Sequence, residues 1–225
     1  MKQRAVVLVS GGMDSCVVAA IAASEYDPLF LHICYGQRTE KKERECFEKI
    51  AEYFGVKDKL IVDISYLKKI GGSSLIDTNL SVPKPDIGST RIPSTYVPFR
   101  NAHLLAIATS LAEAKGIENI FIGVVAVDGS NYPDCRPEFI RAFAQAINEG
   151  TKPSTQIKII APLINLRKAE IVKKGIELNA PFHLTWSCYK NTEIACGDCD
   201  SCVLRWRAFK EAGTKDPIPY ERIPE

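Results

Sequence analysis

Apolar residues come in short unbroken runs at 5–9 (Ala-Val-Val-Leu-Val) and 28–35, with further runs at 59–64, 119–126 and 158–164. Runs of this length, bounded by turn formers, read as buried strands. Between them, apolar positions recur at helical spacing over 16–23, 39–53, 103–115, a segment opening at Pro137-Glu138, 166–179 and 203–211. Strand and helix alternate as a doubly wound, mostly parallel α/β sheet requires, so that is the expected fold class. Residues 71–95 break the pattern with Gly71, Gly72, Pro83, Pro85, Gly88 and Pro93. This long loop is expected to be a lid or a partner contact, with a disordered insertion as the alternative.

The first strand-to-helix junction is Ser10-Gly11-Gly12-Met13-Asp14-Ser15. Two glycines let bare backbone N–H groups approach a polyanion, the positive end of the following helix favours negative charge, and the two hydroxyls add donors. The longer glycine loop with a Lys near its end is absent. Asp14 stands there instead, and a carboxylate beside phosphates implies Mg²⁺ between them. The nucleotide site is therefore read as Val9, Ser10, Gly11, Gly12, Met13, Asp14, Ser15, Cys16, Val17, Val18 and Ala19. The plain alternative is a turn in which Ser10 or Asp14 caps the helix; two glycines flanked by hydroxyls exceed what a cap needs.

Composition narrows the partners. The 225 residues are 46% hydrophobic, enough for one main domain with a small appendage. A net charge of +2, from 29 basic and 27 acidic side chains, offers no broad basic face for nucleic acid. A small substrate is the better expectation. No apolar run reaches membrane-spanning length and residues 2–9 are too short for a signal peptide, so a cytoplasmic protein is expected. Its thiols are then reduced.

Ligands in open α/β sheets bind at the strands' C-terminal edge. Gln37 and Arg38 follow the second apolar run, and Arg38 is placed to meet phosphate. Arg100 and Asn101 open a helix, placed to hold an anion or a base edge. After the 119–126 run comes a polar cluster containing Asp128, Tyr132, Asp134, Cys135 and Arg136. Asp128 or Asp134 offers acceptors for the N–H pair of a guanine-like edge, and Tyr132 offers a ring to stack on. The same residues also suit an ordinary turn, with Asp134 capping the next helix; the residues alone leave both open. His32 and His103 read as packing residues, and the charges of 39–53 as a solvated face.

Of the eight cysteines, Cys188, Cys196, Cys199 and Cys202 crowd the C-terminal end. Three of these thiols at two-residue gaps, with Gly197 for a tight turn, match a closed tetrahedral structural zinc site. An iron–sulfur cluster is the rival, but the fourth ligand fits no ferredoxin spacing. The domain division is 1–184 for the nucleotide-binding part and 185–225 for the cysteine region, which is too short to bury a core of its own.

Taken in order, Ser10-Gly11-Gly12-Met13-Asp14-Ser15, Tyr35-Gly36-Gln37-Arg38, Pro98-Phe99-Arg100-Asn101, Tyr132-Pro133-Asp134-Cys135-Arg136, Lys168-Ala169-Glu170 and Thr185-Trp186-Ser187-Cys188-Tyr189 with the later cysteines resemble the 7-cyano-7-deazaguanine synthase family. The first motif is shared with a wider superfamily that splits ATP between its α and β phosphates, and the later ones are more specific. The resemblance implies a pyrophosphate-loop fold and a reaction of 7-carboxy-7-deazaguanine, ammonia and ATP, through adenylated acid and amide, to a nitrile. It implies that Ser10 and Ser15 bind phosphate, that Asp14 carries Mg²⁺, and that Arg38 and Arg100 offset charge during adenylyl transfer. Gln37, Asn101, Asp128, Tyr132, Asp134 and Arg136 are the substrate contacts it implies. Lys168 and Lys190 are weighed as further phosphate contacts, below the reading of solvated lysines. A homodimer is implied too. Two other readings stand beside it: a tRNA-thiolating relative, for which Cys135 is the one tempting reactive thiol, and a zinc-ribbon binding module on a vestigial nucleotide fold. Pyrophosphate release on adding substrate separates an enzyme from the latter.

Overall fold

The computed structural model describes residues 2–86, 88–127 and 131–224. Asp128 lies outside the described residues. Five strands, β1 (Arg4–Leu8), β2 (Asp27–Cys34), β3 (Lys59–Asp63), β4 (Asn119–Phe121) and β5 (Lys158–Ile160), form one parallel sheet in the order β3-β2-β1-β4-β5. Val6 of β1 pairs with Leu29 on one side and Ile120 on the other, so β1 is central and its apolar run is covered on both faces.

Seven α-helices complete the described fold: α1 (Met13–Glu25), α2 (Glu40–Tyr53), the short α3 (Leu67–Ile70), α4 (Arg100–Lys115), α5 (Pro137–Gly150), α6 (Lys168–Glu177) and α7 (Asp200–Glu211). Side chains alternate along β1: Ala5 and Val7 join a core with Val17 of α1, Phe47 of α2 and Ile171 of α6. Val6 and Leu8 join the opposite core with Leu105 of α4 and Ile140 of α5. The expected doubly wound α/β class is what forms.

The last two strands end earlier than their apolar runs, at Phe121 and Ile160. Beyond β4 the chain passes against the start of α1, where a Cβ on Gly123 would meet the Ser15 backbone at 3.2 Å. Two bonds carry the pairing on past the strands, from Ile122 N–H to the Ile160 carbonyl (3.0 Å) and from Ala126 N–H to that of Ile164 (2.9 Å). Three helices begin earlier than their apolar spacing suggests, α1 at Met13, α4 at Arg100 and α7 at Asp200, because first turns are polar and face the ligand edge. α6 begins later, at Lys168, where the Glu170 carboxylate accepts from the Arg167 N–H at 2.7 Å.

The region 185–225 is tied into the sheet domain. Ala208 and Phe209 of α7 sit in the core beside α1 and α6. The cysteines form their own small cluster with Cys46, Trp186 and Ile218. The Trp186 N–H donates to the Gly11 carbonyl at 2.9 Å, fastening this region to the first loop.

Candidate functional site

The chain runs from β1 outward to β2 and β3, then crosses to β4 and β5, so the strand order reverses on either side of β1. The crevice beyond the C-terminal ends of β1 and β4 is where such sheets take ligands. A cleft of about 260 Å³ opens there. Its floor is the 10–15 loop, and its walls include Glu43, Arg100, Tyr132, Lys168, Trp186 and Tyr189.

The loop's geometry follows from its small residues. Gly11 has φ +89°, and a Cβ on it would lie 2.3 Å from the Glu43 carbonyl oxygen, so only glycine lets α2 pack this close. Gly12 caps α1 with no side-chain hydrogen bond, leaving the first-turn N–H groups without a side-chain acceptor. The two hydroxyls hold the loop's shape: Ser15 Oγ accepts from Ser10 N–H (3.1 Å), lies 3.0 Å from Ser10 Oγ and donates to the Gly12 carbonyl (3.0 Å). Ser10 Oγ accepts from Gly12 N–H (3.2 Å). Cys16, Val17, Val18 and Ala19 are buried behind the loop and carry it, while Val9, also buried, lines the cleft.

Asp14 projects from the first turn of α1, where Lys168 at the start of α6 meets it, Nζ to Oδ2 2.5 Å. The lysine side chain is only 15% exposed, so it is no solvated lysine but part of the cleft. Asp14 Oδ1 is buried and takes no protein donor. Lys190 pairs with Asp198 at 2.9 Å, beside the cysteines and outside the cleft lining.

Arg100 lies in the cleft wall with its guanidinium 5.2 Å from the Tyr35 ring centre and 6.0 Å from that of Tyr132. It donates to Tyr35 Oη at 3.0 Å. Burial works against its charge, but Tyr35, Tyr132, Asp134 and Cys135 outweigh burial and hold it above the ordinary guanidinium range. Tyr132 donates to Thr95 Oγ1 at 2.9 Å, linking the wall to the end of the long loop.

Several expected site residues are occupied elsewhere. Arg38 donates to the carbonyls of Ser74 (2.6 Å), Asp77 (2.8 Å) and Leu80, so it pins the long loop and does not line the cleft. The segment it holds is thus an ordered strap. Gln37 is buried and spans the Tyr35 N–H and the Glu43 carboxylate. Asp134 is 1% exposed and caps a helix, as the plainer reading expected, but the helix is α4: its Oδ2 accepts from Asn101 N–H at 2.8 Å. Burial pushes the Asp134 carboxyl up, against the pull of that N–H and of Arg100. Asn101 lines the cleft with one edge and donates through Nδ2 to the Asp134 carbonyl (3.1 Å) and Cys135 Sγ (3.3 Å). Burial raises the Cys135 thiol to about 11, which leaves it a poor nucleophile. Arg136 is exposed and lies off the cleft lining.

Glu43, read from the sequence as part of a solvated face, turns inward. Its Oε2 accepts from Gln37 Nε2 at 2.9 Å and its Oε1 from Thr39 Oγ1 at 2.8 Å. The signal was present: Glu43 stands three, four and seven residues before Cys46, Phe47 and Ile50, on the buried stripe of α2. Arg205 carried the same signal, three residues after Cys202 and three and four before Ala208 and Phe209 on the buried stripe of α7. It is 1% exposed, pairs through Nε and Nη2 with both carboxylate oxygens of Asp216 (2.8 and 3.0 Å), and donates to Thr185 Oγ1 at 2.7 Å. That knot holds the wall carrying Trp186 and Tyr189.

The sulfur atoms of Cys188, Cys196, Cys199 and Cys202 lie within 4.8 Å of one another, all on buried residues. A tetrahedron with bonds of about 2.3 Å has edges of about 3.8 Å, so the cluster can hold a metal ion after slight contraction. N–H groups of Lys190, Asn191 and Cys196 point at Cys188 Sγ at 3.3–3.4 Å, which favours thiolate there. Gly197 is obligatory in the knuckle, because a Cβ would lie 1.8 Å from the Arg222 carbonyl oxygen of the tail that covers it.

Comparison with known proteins identifies the chain's relatives. Residues 4–213 match the family described as Queuosine biosynthesis protein QueC. The chain is 55% identical to the 7-cyano-7-deazaguanine synthase of Acidobacterium capsulatum, over 97% of each chain, and 53% identical to that of Methanospirillum hungatei, over 96% of this chain and 99% of the other. Among solved structures, NMN synthetase from Francisella tularensis superposes with a TM-score of 0.51 at 14% identity, covering 95% of this chain and 78% of that one. That likeness concerns the fold alone.

Proposed function

The chain belongs to the QueC family of queuosine biosynthesis proteins, and on that premise we propose how its cleft does the family's work. It is a ligase-type enzyme that makes the nitrile 7-cyano-7-deazaguanine. The finer reading is that 7-carboxy-7-deazaguanine and ammonia are joined at the expense of ATP, through adenylation of the acid and then of the amide.

A carboxylate resists ammonia because its oxygen is a poor leaving group. Attack of that oxygen on the α-phosphorus expels pyrophosphate and turns it into part of a good leaving group, AMP. The observation that carries the reading is the Asp14–Lys168 pair at the foot of an α1 whose first-turn N–H groups have no side-chain cap. Those N–H groups bind the leaving pyrophosphate, and Lys168 turns from Asp14 to a phosphate oxygen. Asp14, with a buried oxygen lacking a protein donor, fits the role of Mg²⁺ ligand. Bound there, Mg²⁺ supplies polarisation of the phosphoryl oxygens. Arg100 offsets the negative charge that develops during adenylyl transfer. Arg38 supports this at one remove by fixing the strap over 74–80.

The deazaguanine ring lies against Tyr132 and Asn101. Gln37 and Asp134 act through the residues they hold, and Asp128 and Arg136 remain proposed substrate contacts, Asp128 as the reader of the base edge. The four cysteines fit zinc, since a closed thiolate set leaves no open position for chemistry and serves to brace the wall. The reading extends, on family resemblance alone, to a cytoplasmic homodimer, which sedimentation of the purified protein checks.

The test is incubation with the acid, ammonium, Mg²⁺ and ATP, followed by mass spectrometry. AMP, pyrophosphate and the nitrile are expected from the wild type, and Asp14→Ala is expected to fall by about 100-fold or more while keeping its circular dichroism. Release of orthophosphate instead of pyrophosphate, or full turnover by Asp14→Ala, overturns the mechanism.

A further inference from the structure

Turning an amide into a nitrile removes two protons from one nitrogen, and none of the groups assigned above takes them. Once the amide oxygen carries AMP, one N–H proton has passed to solvent water with formation of the imidate. The last N–H bond then breaks as its electron pair completes C≡N, the C–O pair leaves with AMP, and a base must receive the proton. Asp14 is assigned to Mg²⁺ once Lys168 turns to phosphate, and Asp134 is behind Asn101 and outside the cleft lining.

We propose that the carboxylate of Glu43 is the proton acceptor for this dehydrating half of the reaction, an assignment that rests on the two-stage mechanism above. Glu43 lines the cleft with Tyr35 and Arg100, its backbone in contact with the loop at Gly11. Each of its oxygens takes one donor, from Gln37 and from Thr39, so the side chain is held in place while lone pairs stay open for a substrate proton. Burial raises its affinity for a proton, against the pull of Gln37, Thr39 and Arg100; Glu40 on the same helix adds to the rise. Tyr35, Cys34 and Cys46 also face it, and each stays neutral because its own proton is held more tightly than usual. A carboxylate of raised basicity, fixed by two donors in a partly dry cleft, is suited to general-base work.

The proposal separates the two halves of the reaction. With the acid as substrate, Glu43→Gln is expected to make the amide within about threefold of the wild-type rate and to form nitrile about 100-fold more slowly, so that amide accumulates. Nitrile formation within about threefold of wild type, or equal loss in both halves, overturns the assignment.

Thr39→Val provides a readout that does not depend on the charge-removing variant folding. It deletes one hydrogen bond to the carboxylate, which raises the proton affinity of Glu43 further. The acid limb of the pH profile for amide-to-nitrile conversion is expected to move to higher pH, with the acid-to-amide profile unmoved. An unshifted limb overturns the proposal. If the wild type makes neither AMP nor nitrile, the failure belongs to the reaction assignment and not to Glu43.

Discussion

Lys168 Nζ sits 2.5 Å from Asp14 Oδ2, joining the start of α6 to the first turn of α1 across 154 residues of chain. The pair keeps the loop's one carboxylate neutralised at the place where the proposed mechanism brings phosphate charge. Replacing Lys168 with Met leaves that carboxylate without its counter-charge and removes a donor for the transferred phosphates. ATP–pyrophosphate exchange is expected to fall about 10²–10³-fold, and Lys168→Arg to recover part of it. Exchange unaffected in Lys168→Met would place the lysine outside the chemistry.

The cysteine cluster braces Trp186, whose backbone N–H holds the Gly11 carbonyl. Cys199→Ser is therefore expected to lose its metal and also to loosen the nucleotide loop. Purified wild type should contain zinc at about one per chain and no acid-labile sulfide. In the variant, the melting temperature is expected to drop by about 10 °C, the equivalent of about 3 kcal/mol in a chain of this size. An unchanged melting curve in a zinc-free variant speaks against a bracing role.

Arg205 and Asp216 are 1% and 3% exposed and doubly hydrogen-bonded. Asp216→Ala strands a guanidinium in the core and is expected to cost about 3–5 kcal/mol in urea unfolding. Adding Arg205→Met to it should restore part of the loss, because the cost lies in the uncompensated charge. Additive losses in the double variant would contradict this.

His32 is buried, 2.9 Å through Nδ1 from the Val9 carbonyl and stacked at 4.9 Å on Phe47. Burial lowers its pKa below 6.5, opposed by the Val9 carbonyl and assisted by Arg44. The unfolded chain then binds a proton that the folded chain refuses, so stability is complete above pH 6.5 and declines as pH falls from there toward the depressed folded value. The contribution is at most about 1.4 kcal/mol per pH unit. Unfolding free energies measured from pH 7.5 to 5 should show this slope, and His32→Asn should flatten it. Equal slopes in the two proteins would show that other groups carry the acid sensitivity.

Much of the architecture was legible because it rests on local rules. Short apolar runs bounded by turn formers read as buried strands, and their alternation with helices points to the doubly wound class; the sheet order β3-β2-β1-β4-β5 came from the structure. Gly11, Gly12, Asp14 and the four cysteines announce themselves because their spacing already encodes a loop and a knuckle. The strand ends were less legible: β4 stops at Phe121 because α1 crowds Gly123, a neighbour more than a hundred residues away.

What the chain's order of residues determined alone was the fold class, the anion-ready turn and the thiol cluster, since each depends on neighbours within a few positions. Only the tertiary structure decided which charges line the cleft. It turned Glu43 and Lys168 inward, sent Arg38 to the strap and set Asp134 behind Asn101. The physical reason is that a charged side chain's role depends on how much water remains around it and which partners replace that water, and these are fixed by packing between distant segments.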